Sequence, residues 1–267
     1  MAAAAHAAEA TEATEAAAPV APRTVGILGG MGPAAGADFV RLFVQSCTER
    51  LQALHLPVRD QGYPEHWLAQ VPVPDRTAAL EDRSPGAHQP GDALLQATGR
   101  LAALGARSVA IACNTAHAWH GLLQERFPQI TVLHAVREVA ALLRLQGVQR
   151  VGLLATQGTY RAGLYRTELQ REGIDCLEPP ESGRERLMQG IYEGVKAGDL
   201  ELARRCFAEV ARSLHAGAGA QVIVMGCTEI PLALDEADVG VALLNPARVL
   251  ADALAREAYA PCAAGIR

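Results

Sequence analysis

Cys113 and Cys227 are the residues of this chain whose surroundings best suit them to chemistry. Each closes an apolar run and is followed at once by small polar residues: Ser108-Val-Ala-Ile-Ala-Cys113-Asn-Thr115 and Gln221-Val-Ile-Val-Met-Gly-Cys227-Thr-Glu229. The match begins further back, with Gly105-Ala106 against Gly219-Ala220, at a constant offset of 114 residues. A free thiol ionises near pH 8.5, and lower at a helix N-terminus or beside a cation. Two matched thiols across a cleft can therefore act as base on one face of a carbon and acid on the other, exchanging roles in reverse. Asn114, Thr115 and Thr228 add side-chain donors, and each cysteine precedes what reads as a helix start, whose first NH groups suit a carboxylate.

Other chemistries compete for these residues. Cys113 and His117 stand at i and i+4 with His120 following, which could present metal ligands on one helical face. No CxxC or HxxxH pair accompanies them, and Cys227 has no neighbouring His. His117 reads either as a neighbour that orients the thiol or as a packed side chain. A redox pair would need two thiols 114 residues apart to approach to disulfide distance. The turn Gly29-Gly-Met-Gly-Pro33 satisfies GxGxx(G/A) after a strand. Pro33 removes a backbone NH that a pyrophosphate would use, so a turn approaching a small ligand closely is the better account. Cys47, Cys176, Cys206 and Cys262 lack any repeated context and read as small apolar residues.

The elements that must position the thiols follow from periodicity. Strand-length apolar runs occur at 24–29, 108–112, 130–133, 150–154 and 221–225, alternating with helical patterns at 91–104, 135–146, 163–172, 187–196 and 200–215. This alternation predicts an α/β fold with buried parallel sheets. Val25-Gly-Ile-Leu-Gly-Gly-Met-Gly32 also matches Val151-Gly-Leu-Leu-Ala-Thr-Gln-Gly158 at an offset of 126 residues, so two similar halves are expected. The boundaries read as an Ala-rich disordered tail over 1–22, domains over 23–137 and 138–235, and a segment 236–267 packing back on the first domain. In parallel α/β sheets the ligand crevice lies beyond the carboxyl ends of the strands, where both cysteines fall.

Composition narrows the partners. Half of the 267 residues are apolar, enough for a large core, and the net charge of -5 offers no basic field for nucleic acid or anionic lipid. No stretch approaches the roughly 18 apolar residues of a membrane span. The tail has no Lys or Arg before Arg23 and no Leu-rich stretch, so it lacks the parts of a secretory signal. Reduced cysteines in a cytoplasmic protein acting on a small molecule are expected.

Gly26-Ile-Leu-Gly-Gly-Met-Gly-Pro33, Cys113-Asn-Thr-Ala-His117 and Gly226-Cys-Thr-Glu229 together resemble the cofactor-independent aspartate/glutamate racemase superfamily. Val73-Pro-Asp-Arg-Thr77, Leu153-Leu-Ala-Thr-Gln-Gly-Thr159 and Gly190-Ile-Tyr-Glu-Gly-Val-Lys-Ala-Gly198 are similar to its aspartate racemase branch. The lead-in Ala69-Gln-Val-Pro-Val-Pro-Asp75 departs from the Asn-Pro common in that branch, and Ser84 to Pro90 reads as an inserted mobile loop. The resemblance implies two pseudo-symmetric α/β domains with the active site in the cleft between them, a homodimer, and no pyridoxal phosphate or other cofactor. It implies Cys113 and Cys227 as the acid/base thiols, the first serving the D-enantiomer and the second the L-enantiomer. It implies Arg76 and Lys196 as the cations that select a second carboxylate, and Met31, Gly32, Asn114, Thr115, Ala116, Thr159 and Thr228 as further substrate-binding positions. A broad-specificity racemase, a hydantoin racemase, a maleate isomerase and a dicarboxylate-binding module are the alternatives.

Overall fold

The computed structural model describes residues 21–82, 84 and 87–261. The expected disordered tail falls almost wholly outside these residues, as do Cys262 and two positions of the 84–90 loop.

Two four-stranded parallel sheets make up the framework. The first comprises β1 (Val25–Gly29), β2 (His66–Gln70), β3 (Ser108–Ile111) and β4 (Thr131–Val132), in the order β2-β1-β3-β4. The second comprises β5 (Arg150–Ala155), β6 (Asp175–Leu177), β7 (Val222–Gly226) and β8 (Ala242–Leu244), in the order β6-β5-β7-β8. The order is the same in both, and the central pairs are in matching register: Val25 lies beside Ser108 and Val109 beside Val132, as Val151 lies beside Val222 and Ile223 beside Leu243. The expected α/β architecture with two pseudo-symmetric sheets is thus the one observed.

Each sheet is covered on both faces, which is why its strands read as continuous Val/Ile runs. All five residues of β1 are buried. Val25 and Ile27 pack with Phe39, Phe43 and Leu254, whereas Leu28 packs on the opposite face with Leu94, Leu101 and Leu123. The helix Pro33–Ala53 starts directly after the Gly-rich turn, with Pro33 at its first position, where a missing NH costs nothing. Gly30 in that turn has φ of +91°, and a Cβ there would lie 2.4 Å from the Val71 carbonyl oxygen. That position admits only glycine. The last helix, Pro246–Ala258, packs against Pro33–Ala53 of the first half and against Ala135–Leu145, the helix that joins the halves, while β8 just before it belongs to the second sheet.

No helix among the described residues is long and apolar enough to cross a membrane.

Candidate active site

The central strands β3 and β7 deliver the two thiols. Cys113 lies two residues beyond the end of β3 and Cys227 one residue beyond β7, and both are only 6% exposed. They line one small cavity between the two sheets. The chain after each turns into a short 3₁₀ segment, Thr115–Trp119 and Ile230–Leu232, at the two places where a helix start was expected. The tighter turn serves the sulfurs directly: the backbone NH of Ala116 faces the Cys113 sulfur, and that of Glu229 faces the Cys227 sulfur. Donation to a sulfur favours its anionic form.

The electrostatics of the two thiols differ. Burial raises both above the usual thiol range. Around Cys113 the Arg76 guanidinium offsets part of that penalty. Around Cys227 the Glu229 carboxylate adds to it, with Oε2 accepting the Cys227 Sγ–H at 3.0 Å and the Thr228 hydroxyl at 3.1 Å. Glu229 is itself 6% exposed and fronts both the cavity and a wider groove beside it, lined by Gly32, Val73, Val195 and Leu232 among others.

Of the sequence-predicted positions, Met31, Arg76, Asn114, Thr115, Lys196 and Thr228 line the cavity with the two cysteines. Gly32 lies on the adjoining groove. The Ala116 methyl is buried in the first domain's core, so only its backbone serves the site. Thr159 stands behind the wall, where its hydroxyl lies 2.9 Å from that of Thr115 and 3.1 Å from that of Thr156. Thr115 also bonds Thr156 at 3.0 Å, closing a buried triangle of hydroxyls between the two halves. Tyr165 of the second half donates to Asn114 Oδ1 of the first.

The two cations are held differently. Arg76 spends its Nη1 on the carbonyls of Val73 and Pro74, both at 3.1 Å, and its Nη2 on that of Met31 at 3.0 Å. Its Nε is buried with no partner. Lys196 Nζ lies 4.2 Å above the Tyr192 ring, a cation–π contact that leaves the ammonium on the cavity wall.

Asp75, Thr77, Thr156, Ile191, Tyr192 and Glu229 also line the cavity and were not singled out from the sequence. All six stood inside motifs already recognised, and that proximity was the available signal. Glu229 and Thr115 occupy equivalent addresses, two residues after each cysteine, so the halves diverge at this position.

His117 does not reach the thiol. Its Nδ1–H is shared by the carbonyls of Cys113 (2.9 Å) and Asn114 (3.1 Å), and its Nε2 accepts the Ala135 NH at 3.1 Å. It braces the cysteine loop against the helix Ala135–Leu145, and with both nitrogens engaged it has no lone pair for a metal. Burial lowers its pKa to about 4, helped by neighbouring His120. Among the described residues no group of three or more His, Cys, Asp or Glu side chains is arranged to hold a metal ion.

Comparison with known proteins gives this geometry a context. A profile described as Asp/Glu/hydantoin racemase matches residues 28–254. The broad specificity amino-acid racemase RacX of Bacillus subtilis is 23% identical over 230 residues, 85% of this chain and 94% of that protein. A glutamate racemase of Pseudomonas paraeruginosa is 34% identical over 132 residues, 48% of this chain and 47% of that enzyme. The chain thus spans about half the length of the curated glutamate racemases it matches, and 57% of a Pectobacterium carotovorum protein to which 87 residues are 39% identical. Among solved structures, Picrophilus torridus aspartate racemase superposes with a TM-score of 0.70 at 27% identity, covering 88% of this chain and 94% of its own.

Proposed function

The chain belongs to the Asp/Glu/hydantoin racemase family, and from that premise we propose that it interconverts the two hands of a dicarboxylic amino acid, aspartate first and glutamate second. The chemistry is proton transfer at Cα between Cys113 and Cys227, without pyridoxal phosphate. One observation carries this reading: two matched thiols line a single cavity together with Arg76 and Lys196.

In the forward direction one thiolate takes the Cα proton while the other thiol delivers its proton to the opposite face, so each turnover leaves the proton inventory of the pair unchanged. The side-chain amide of Asn114 would hold the α-carboxylate, with the Thr115 and Thr228 hydroxyls turning to it from their resting partners when it binds. The free Arg76 Nε and the Lys196 ammonium would take the second. The homodimer stays an expectation about assembly.

Incubation with L- or D-aspartate in heavy water should bring deuterium into Cα, followed by NMR. Absence of exchange from either hand overturns the substrate assignment. Cys113→Ser and Cys227→Ser should each abolish racemisation, and parent-like rates in either would end the two-thiol mechanism. A second reading, broad specificity, is favoured by the engagement of both Arg76 Nη atoms with backbone carbonyls. An L-amino-acid panel scored by loss of circular dichroism separates the two.

A further inference from the structure

The two halves of the site agree at the sulfur and disagree two residues later, where the first has Thr115 and the second Glu229. Resting on the reading that both thiols are the acid–base pair, we propose that Glu229 is a positioning residue that sets the order in which the two thiols ionise. Its carboxylate keeps the proton on Cys227 while the site is empty, so Cys113 is the first of the pair to serve as base and Cys227 the one that holds its proton as acid.

The geometry makes the asymmetry specific. A thiol 3.0 Å from a carboxylate oxygen is a hydrogen bond only while the proton sits on the sulfur, because the thiolate would face Oε2 anion to anion. Glu229 Oε2 also accepts the Thr228 hydroxyl, which holds the carboxylate in place. Thr115 cannot play this part for Cys113, since its hydroxyl is turned away to Thr156 and Thr159. What Cys113 meets is the Arg76 guanidinium, which favours the thiolate. A backbone NH favours the thiolate at each sulfur, so it is not what sets the two halves apart.

The remaining charges do not reverse this order. Lys196 and Asp75 both line the cavity, and Lys196 lies over the Tyr192 ring. The Tyr192 hydroxyl donates to Asp75 Oδ2 at 3.5 Å, so the nearest anion to that pair is already engaged. The proton balance is simple: Cys227 gives up its proton only when an accepting carbanion is present, and Glu229 then faces the new thiolate until a proton returns to it.

The test needs no substrate. With 13Cβ-labelled cysteine, resonances assigned by single Cys→Ser variants report each thiol's ionisation by NMR as pH is raised. In the parent protein Cys113 should titrate before Cys227. Glu229→Gln should lower the Cys227 midpoint by about one pH unit or more and the Cys113 midpoint by less, because the same carboxylate reaches Cys113 only through space. Glu229→Asp, which keeps the charge, should hold Cys227 high. A parent midpoint for Cys227 at or below that of Cys113, or one that Glu229→Gln fails to lower, overturns the proposal. Failure here leaves a positive aspartate exchange result standing, and absence of aspartate exchange leaves the titration standing.

Discussion

His117 shows how a titratable residue can serve the site without touching its chemistry. Its bonds to the Cys113 and Asn114 carbonyls and to the Ala135 NH require the neutral ring, and burial holds its pKa near 4 against an ordinary value of 6.5. A base whose folded pKa is depressed binds its proton more readily when unfolded, so stability is intact above pH 6.5 and falls as pH drops toward 4. The slope is about 1.4 kcal/mol per pH unit for each such proton. Urea midpoints measured from pH 7.5 to 5 should fall accordingly, and a flat profile would contradict the neutral bracing role. His134 and His120, depressed by the same burial, steepen the loss. The cysteines were legible because their whole flanking sequences repeat. Glu229 was not, because a carboxylate gains meaning only from the partner that folding brings to it.

At the level of elements, the strands that were read are the four central ones, buried on both faces, and the edge strand β4, whose flanking Ile130 and Leu133 lengthen its apolar run. The missed ones are β2, β6 and β8: two of these have three residues each, and β2 is an edge strand with Trp67 and Leu68 exposed. Short or half-exposed strands carry too little apolar pattern to register. The helix expected over 187–196 stops at Gln189 and widens into a π-turn over Gly190–Gly194, then a 3₁₀ turn over Val195–Ala197. Side chains at Gly190 and Gly194 would collide with Phe207 and Ala203, so the glycines permit this close packing, and the altered turns bring Tyr192 and Lys196 to the cavity. Gly158 is the comparable close approach between the halves. A Cβ there would lie 2.8 Å from Thr77 Oγ1 and 2.9 Å from its Cα. Helix propensity alone favours alanine by about 1 kcal/mol, but backbone at that distance must move. Gly158→Ala should therefore lower kcat/KM by roughly tenfold or more with an unchanged far-ultraviolet spectrum, and parent-like kinetics would show that the halves need not approach so closely.

The whole molecule is two similar halves tied across the cleft by the Thr115–Thr156–Thr159 hydroxyls, the Tyr165–Asn114 bond and ion pairs such as Arg161–Glu81 and Arg256–Glu138. A ligand gripped by Arg76 from one half and Lys196 from the other adds to these ties. At a hundredfold excess over its dissociation constant it should stabilise the fold by about 2.7 kcal/mol. A thermal shift with aspartate that disappears in Lys196→Ala would be the expected result, and a shift insensitive to Lys196 would move the binding site elsewhere. The unlike neighbours of the two sulfurs, Arg76 for one and Glu229 for the other, carry one more consequence. Under the proposed racemisation, mirror-image substrates have equal free energies, so the ratio of forward to reverse specificity constants is fixed at unity whatever the protein does. Any substitution that makes the two half-sites more alike or more different must change kcat/KM for both hands by the same factor, and can express a preference only by moving kcat and KM together.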